Sequence, residues 1–302
     1  MFKNITKALL LASVTALTAP AALVQAQEVM TLKSEMIGEN VSVIRFGGTK
    51  IHTFHGISNS HIIETANELR VVDAQFLLPH AKGLKKYIAG LNKPLVQIIL
   101  SHNHPDHWFG AQVFDGTPIA TSKNVTADLA SGGMRYIKIV SKNPKMKDSV
   151  PAAVVVPTQE LALGAQNWDG LDVIVEEYPD QESHHSLLIK IPSAGVMIGQ
   201  DLFYNNMFLV ASERSRNVNW RNLLQNLSDS ETRAYQTLLV GHGKNGGPDI
   251  LTQDIAYLDA LEMTLEKGMN QEDTTNAMIA QFPGKGGKSF LGISMGNLFR
   301  GH

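Results

Sequence analysis

The chain has 302 residues, 28 acidic against 26 basic side chains, 43% hydrophobic residues and no cysteine. A formal charge of −2 lacks the surplus of lysine and arginine that broad capture of nucleic acid or anionic membrane needs, so neither is expected as a partner. Without cysteine there is no disulfide framework and no thiolate ligand, and any metal must be held by His, Asp and Glu.

At the start of the chain, Lys3 and Lys7 flank an apolar, small-residue run from Ala8 to Val24, and Val24-Gln25-Ala26 offers small residues where a signal peptidase reads. A secretory signal over residues 1–26 is expected, which leaves no stable membrane anchor and makes the mature chain periplasmic or secreted. A retained anchor is the alternative, against which Thr18, Pro20 and the alanines keep the run weakly hydrophobic. Cleavage there leaves a net charge of −4.

From residue 27 to residue 302 no repeat or low-complexity linker interrupts the chain, so a single domain is expected. Strands are predicted at Val41 to Phe46, Ile51 to Gly56, His61 to Glu64 and Leu69 to Val72. Leu84, Tyr87, Ile88 and Leu91 share one face of a helix over Leu78 to Leu91. Val96 to Leu100 (VQIIL) is a buried strand, and further strands fall at Pro118 to Thr121, Asp172 to Tyr178, Leu187 to Ile191, Val196 to Ile198 and Thr237 to Val240. Ser122 to Asn143 is a polar helix placed to wall or cover a site, and Asp249 to Lys267 is an amphipathic closing helix. The alternation implies layered sheets with helices outside, an α/β protein.

The chemistry concentrates in Ser101-His102-Asn103-His104-Pro105-Asp106-His107-Trp108, just past the buried strand. In an extended segment His102 and His104 project to the same side. Pro105 stops strand pairing and Asp106 can cap the turn that follows, which brings Asp106 and His107 back towards them. Four metal-competent side chains within six residues are a specific signal, and imidazole with carboxylate suits zinc, with manganese or iron as alternatives. Ser101 has no nucleophile-elbow glycines, and the glycine-rich Gly243 to Gly247 lacks the Walker spacing, so neither is assigned chemistry.

The order His-x-His-x-Asp-His after a buried strand resembles the metallo-β-lactamase-fold hydrolases. That resemblance covers nearly the whole mature chain and implies an αββα sandwich with a two-metal site at one edge of the packed sheets. It assigns Asp73 to orienting the metal loop and Asp201, in Gly199-Gln200-Asp201, to bridging two ions. His242, in Gly241-His242-Gly243, becomes the last ligand. Each of these motifs is expected at a strand end.

The third ligand of the first metal departs from the family pattern. Counting back from Pro192 and Asp201, the position falls on Glu182, two residues before His184. Either Glu182 replaces the usual His, as in the alkylsulfatase branch, or the loop is shortened and His184 or His185 coordinates; we favour Glu182. His102, His104 and Glu182 would then hold the first ion and Asp106, His107 and His242 the second.

Tyr204 stands three residues after Asp201, as a Tyr does in acyl-homoserine-lactone lactonases. The resemblance implies a hydrogen bond from its phenol to the substrate carbonyl, with a packing role as the alternative. Asn205 and Asn206 are weaker candidates for the pocket, and Met207, Phe208, Trp108 and Trp220 are candidates for an apolar lining or for core. The expected function is an exported zinc-dependent hydrolase acting on a small molecule, a lactone or carboxylic ester, with Asp106 orienting water and moving its proton. Sulfate-ester or β-lactam hydrolysis, or a non-catalytic metal-binding role, are the alternatives.

Overall fold

The computed structural model describes residues 34–300, so the expected signal segment lies outside the described residues. Two β-sheets face each other. The first is built in chain order from β1 (Glu35–Met36), β2 (Val41–Phe46), β3 (Thr49–Phe54), β4 (Ser60–Glu64), β5 (Leu69–Val72), β6 (Leu95–Ile99), β7 (Ile119–Thr121) and β8 (Gln159–Glu160). Its strands pair antiparallel up to β5 and parallel from β5 to β8. The second sheet holds β9 (Gly164–Trp168), β10 (Leu171–Pro179), β11 (His185–Ile191), β12 (Val196–Tyr204) and β13 (Thr237–His242), in the order β13-β12-β11-β10-β9.

Period-two alternation decides which layer each side chain enters. In β5, Val72 packs between the sheets with Ile51, Ile99, Val175, Ile189 and Ile198, while its neighbour Val71 turns to the opposite face. There α1 (Leu78–Ala89) and α3 (Lys123–Ser141) cover it with Leu84, Ile88, Val125 and Leu129. In β12, Ile198 faces the inter-sheet layer and Met197 the outer one, beneath α4 (Arg214–Ser230) and α5 (Asp249–Leu265). Each fully buried Leu, Ile or Val is worth about 1.5–3 kcal/mol, so three such layers fix the order helix, sheet, sheet, helix. This is the expected αββα sandwich.

Three expectations need correction. Asp249 to Lys267 does not close the chain, because α6 (Gln271–Gln281) and α7 (Lys288–Leu298) follow α5. Neither has the strong apolar stripe that marks α3, and both are held by tertiary packing of Met278, Leu291 and Met295. The strand over Val196 to Ile198 runs on to Tyr204, so Asp201 leaves the middle of a strand rather than its end. Register against β13 shifts at Gln200, whose φ of 48° lies in the left-handed region. This bulge re-aims the residues that follow it, and the strand then continues with buried Leu202 and Phe203. Strand β13 likewise extends through His242 instead of stopping at Val240. Among the described residues no helix is long and apolar enough to cross a membrane.

Candidate metal centre

Six segments deliver side chains to one place. The loop after β6 brings His102 and His104, and the four-residue α2 (Pro105–Trp108) begins at Pro105 and turns Asp106 and His107 back over it. Glu182 comes from the β10–β11 loop, Asp201 from the bulged β12 and His242 from the end of β13. Asp73 follows β5.

Asp201 organises the cluster because its two oxygens face different neighbours. Oδ2 lies 3.5 Å from His102 Nε2 and 4.0 Å from His104 Nδ1, while Oδ1 lies 3.0 Å from His107 Nε2 and 3.3 Å from His242 Nε2. Glu182 Oε2 completes the first group, 3.1 Å from His104 Nδ1 and 4.0 Å from His102 Nε2. Asp106 Oδ2 completes the second, 3.3 Å from His242 Nε2 and 3.6 Å from His107 Nε2. The ligand-capable atoms of His102, His104, Glu182 and Asp201 lie within 4.8 Å of one another, as do those of Asp106, His107 and His242. Gly241 permits this close packing, since a Cβ there would stand 1.9 Å from Asp201 Oδ1.

A second layer fixes the imidazoles. His107 Nδ1 donates to Asp73 Oδ2 at 2.6 Å, and His242 Nδ1 donates to the Ile57 carbonyl at 2.8 Å. Ser101 Oγ donates to Asp73 Oδ2 at 2.7 Å and therefore accepts from His102 Nδ1 at 2.8 Å. In each case the Nε2 lone pair is left facing the cluster, as a metal ligand requires. Asp73 holds this position from the left-handed region, at φ 61°, with Oδ1 accepting the Ser101 amide at 2.7 Å. Ser101, given no role from sequence, is part of this relay, and its place between Asp73 and His102 was the signal available.

The donor set fits divalent cations. Both oxygens of the buried Glu182 carboxylate, together with Asp201 Oδ1, His102 Nε2 and His107 Nε2, have no hydrogen-bond partner among the described residues. A buried carboxylate without partners is costly unless a cation sits on it. Electrostatics agree. Burial opposes protonation of His104, yet the charges of Glu182 and Tyr136 and the nearby Asp201 raise its pKa well above the ordinary value. Burial opposes it for His242 too, but Asp201 and Asp106 push that imidazole up to about 10. Burial likewise works against ionising Asp201, and the imidazoles of His107 and His242 outweigh it, so its pKa lies well below the usual range. A cluster that draws protons onto its histidines is short of positive charge, and divalent ions supply it.

Of the other expected residues, His184 is exposed at the cleft rim, and His185 points away to bond Asp128 at 2.8 Å on α3. The fully buried Tyr204 donates to Asp201 Oδ2 at 3.1 Å, with its ring 5.1 Å from that of His242. Trp108, Phe208 and Trp220 are core. Asn205 bonds the Lys244 carbonyl, and Met207 packs on Gly286 and Gly287.

The cluster opens on a cleft of about 770 Å³ walled by α3, as the sequence suggested for Ser122 to Asn143, and also by α7 and the segment leading into α4. Helix α4 was not anticipated, although Trp220, Leu223, Leu224 and Leu227 carry the helical spacing that marks it.

A fold of two sheets between helices, with a histidine-carboxylate cluster at their edge, defines a metallohydrolase-type scaffold. The family model of the metallo-beta-lactamase superfamily matches residues 54–242, a span that contains the whole cluster, and the chain belongs to this superfamily. Its members are mostly hydrolases. Among solved structures, the chain is similar to a metallo-beta-lactamase from Pontibacter korlensis, with 16% identity and a TM-score of 0.52 over 76% of this chain and 99% of that one. It is also similar to a double mutant of the sec-alkyl sulfatase PisA1, with 14% identity and a TM-score of 0.62 over 86% of this chain and 50% of that one. The chain thus spans about half of the sulfatase. A third likeness, to TMB-1, has 17% identity and a TM-score of 0.52 over 76% and 98% of the two chains. No curated protein sequence matches the chain significantly.

Proposed function

We propose that the chain is an exported hydrolase with two divalent ions, zinc first among candidates, acting on carboxylic esters or lactones. The observation that carries this reading is the two-sided Asp201 carboxylate, with Oδ2 towards His102 and His104 and Oδ1 towards His107 and His242. His102, His104 and Glu182 would hold one ion and Asp106, His107 and His242 the other, with Asp201 between them. Ions held there supply Lewis acidity and a nucleophile at neutral pH.

The protein's own groups do the rest. Asp106 borders the cleft, and although burial opposes its ionisation, the His107 and His242 charges keep it a carboxylate. Its oxygens can accept the proton that an attacking water gives up and return it to the leaving group. Tyr204 restrains Asp201 through its hydroxyl and so acts as a positioning residue. Ester or lactone chemistry is favoured by the Asp201–Tyr204 register and by the apolar cleft walls. Glu182 in place of a histidine, with the likeness to the sulfatase fold, supports sulfate-ester hydrolysis as the second reading. The test is turnover on a panel of lactone, p-nitrophenyl ester, alkyl sulfate and β-lactam. Ester or lactone hydrolysis abolished by chelation supports the proposal, sulfate hydrolysis alone moves the assignment to the second reading, and turnover on none of the panel overturns both.

A further inference from the structure

Three arginines from distant parts of the chain border the cleft: Arg135 on α3, Arg216 in the first turn of α4 and Arg300 just past α7. None donates a side-chain hydrogen bond to any described residue, and neither Arg135 nor Arg300 has an ion-pair partner among them. The cleft's own carboxylates do not answer this charge. Asp106, Glu182 and Asp201 sit among the imidazoles, and Asp128 is taken by His185.

Arg216 is the telling one. Its side chain is only 16% exposed, its one ion-pair contact among the described residues is Nε to the exposed Glu213 at 3.1 Å, and that nitrogen lacks hydrogen-bond geometry. A guanidinium has five donors, and here the Nε donor is buried without a hydrogen-bond partner among the described residues, which costs free energy. An anion in the cleft would supply acceptors to this guanidinium. Beside Arg216, Ser212 and Asn297 also line the cleft, tied together by a 3.0 Å hydrogen bond that links the segment before α4 to α7. The rest of the lining is largely apolar, with Ile57, Phe76, Val140, Val210, Phe290 and Ile293.

We propose that Arg216, supported by Arg135 and Arg300, forms an anion subsite that selects esters or lactones bearing a carboxylate at the far end of an apolar body. This rests on the ester and lactone reading above and narrows it to acidic substrates. Planar, bidentate pairing with guanidinium favours carboxylate, and the apolar walls of the same cleft suit the body of the molecule.

The test uses the metal-loaded protein in two arms. The first compares the mono-p-nitrophenyl ester of octanedioic acid with the same ester whose free carboxylate is methylated. Wild type should favour the acid at least tenfold in kcat/KM, and Arg216→Gln should erase most of that preference through KM rather than kcat. Lys138→Gln removes the same charge from an exposed α3 position outside the cleft and should keep the preference. If Arg216→Gln does not fold, the exposed Arg135→Gln and Arg300→Gln carry the test, each reducing the preference severalfold. The second arm measures binding of octanoate and octanamide by calorimetry. Octanoate should bind the more tightly, and Arg216→Gln should remove the difference.

Equal use of acid and methylated ester by wild type overturns the proposal. So does octanoate binding that survives Arg216→Gln but vanishes on chelation, since the carboxylate then sits on metal. Arginine-dependent octanoate binding without turnover of any ester or lactone leaves the subsite standing and removes the hydrolase reading instead.

Discussion

Gly241→Ala perturbs the Asp201 carboxylate, proposed above to lie between two ions, without replacing any proposed ligand. The added Cβ would lie 1.9 Å from Asp201 Oδ1, 2.9 Å from the Gln200 carbonyl carbon and 3.0 Å from the Asp201 amide nitrogen. Ordinary contact begins at 3.4 Å, so Asp201 Oδ1 must retreat about 1.5 Å. Rotating the side chain alone does not solve this, because the two backbone atoms also stand too close and β12 must part from β13. Oδ1 now lies 3.0 Å from His107 Nε2 and 3.3 Å from His242 Nε2, and such a retreat takes it out of reach of any ion held between them. A misplacement of about 1 Å can cost on the order of a hundredfold in rate. We expect Gly241→Ala to weaken metal binding at the Asp106, His107 and His242 side by at least about a hundredfold, with activity falling in step. The assay is competition against a chromogenic chelator, with circular dichroism to verify the fold. A folded variant that keeps wild-type metal affinity and turnover would refute the bridging geometry.

Glu182→Ala should weaken metal at the His102 and His104 side by a hundredfold or more, whereas His184→Ala, at an exposed rim residue, should change affinity less than twofold; the reverse order would mean that the loop is read in the wrong register. Tyr204→Phe removes the 3.1 Å bond to Asp201, so metal retention should fall about tenfold, a hydrogen bond to a charged group being worth roughly 1.5–3 kcal/mol. A loss confined to kcat at unchanged metal affinity would show instead that the hydroxyl reaches the substrate. Behind Tyr204, burial pushes the Asp254 carboxyl up to about 8, although its Oδ2 accepts the Tyr204 amide. An acid raised in the folded state costs nothing below its unfolded pKa and costs progressively more as pH rises towards the folded value. Asp254→Asn should therefore gain on wild type by about 1.4 kcal/mol per pH unit between pH 5 and 8 in urea unfolding, and a flat difference would refute the buried neutral acid.

The loop from His102 to His107 was legible because four donors at short, fixed spacing leave few geometries once Pro105 ends the strand. Glu182 was reached by counting back from Pro192 and Asp201 on the spacing that the family resemblance implies, and the structure puts its carboxylate beside His104. Less legible was the path of β12, where polar Gln200 and Asp201 read as a strand end and only the left-handed Gln200 and buried Leu202 and Phe203 show why pairing continues. The register of Tyr204 was readable, but its partner was not, since that depends on how tightly the bulge folds Asp201 back. Helices α6 and α7 are weakly patterned and acquire their place from packing on α5. That Arg135, Arg216 and Arg300 border one cleft could not be read at all, because residues so far apart in sequence are joined only by the outer helices.

The most direct measurement is elemental analysis of the purified protein, made on the same samples as hydrolysis before and after chelation. Close to two divalent transition-metal ions per chain is the predicted result, with hydrolysis lost in chelator and restored by zinc. Protein that contains no metal and hydrolyses its substrate undiminished in chelator would contradict the account.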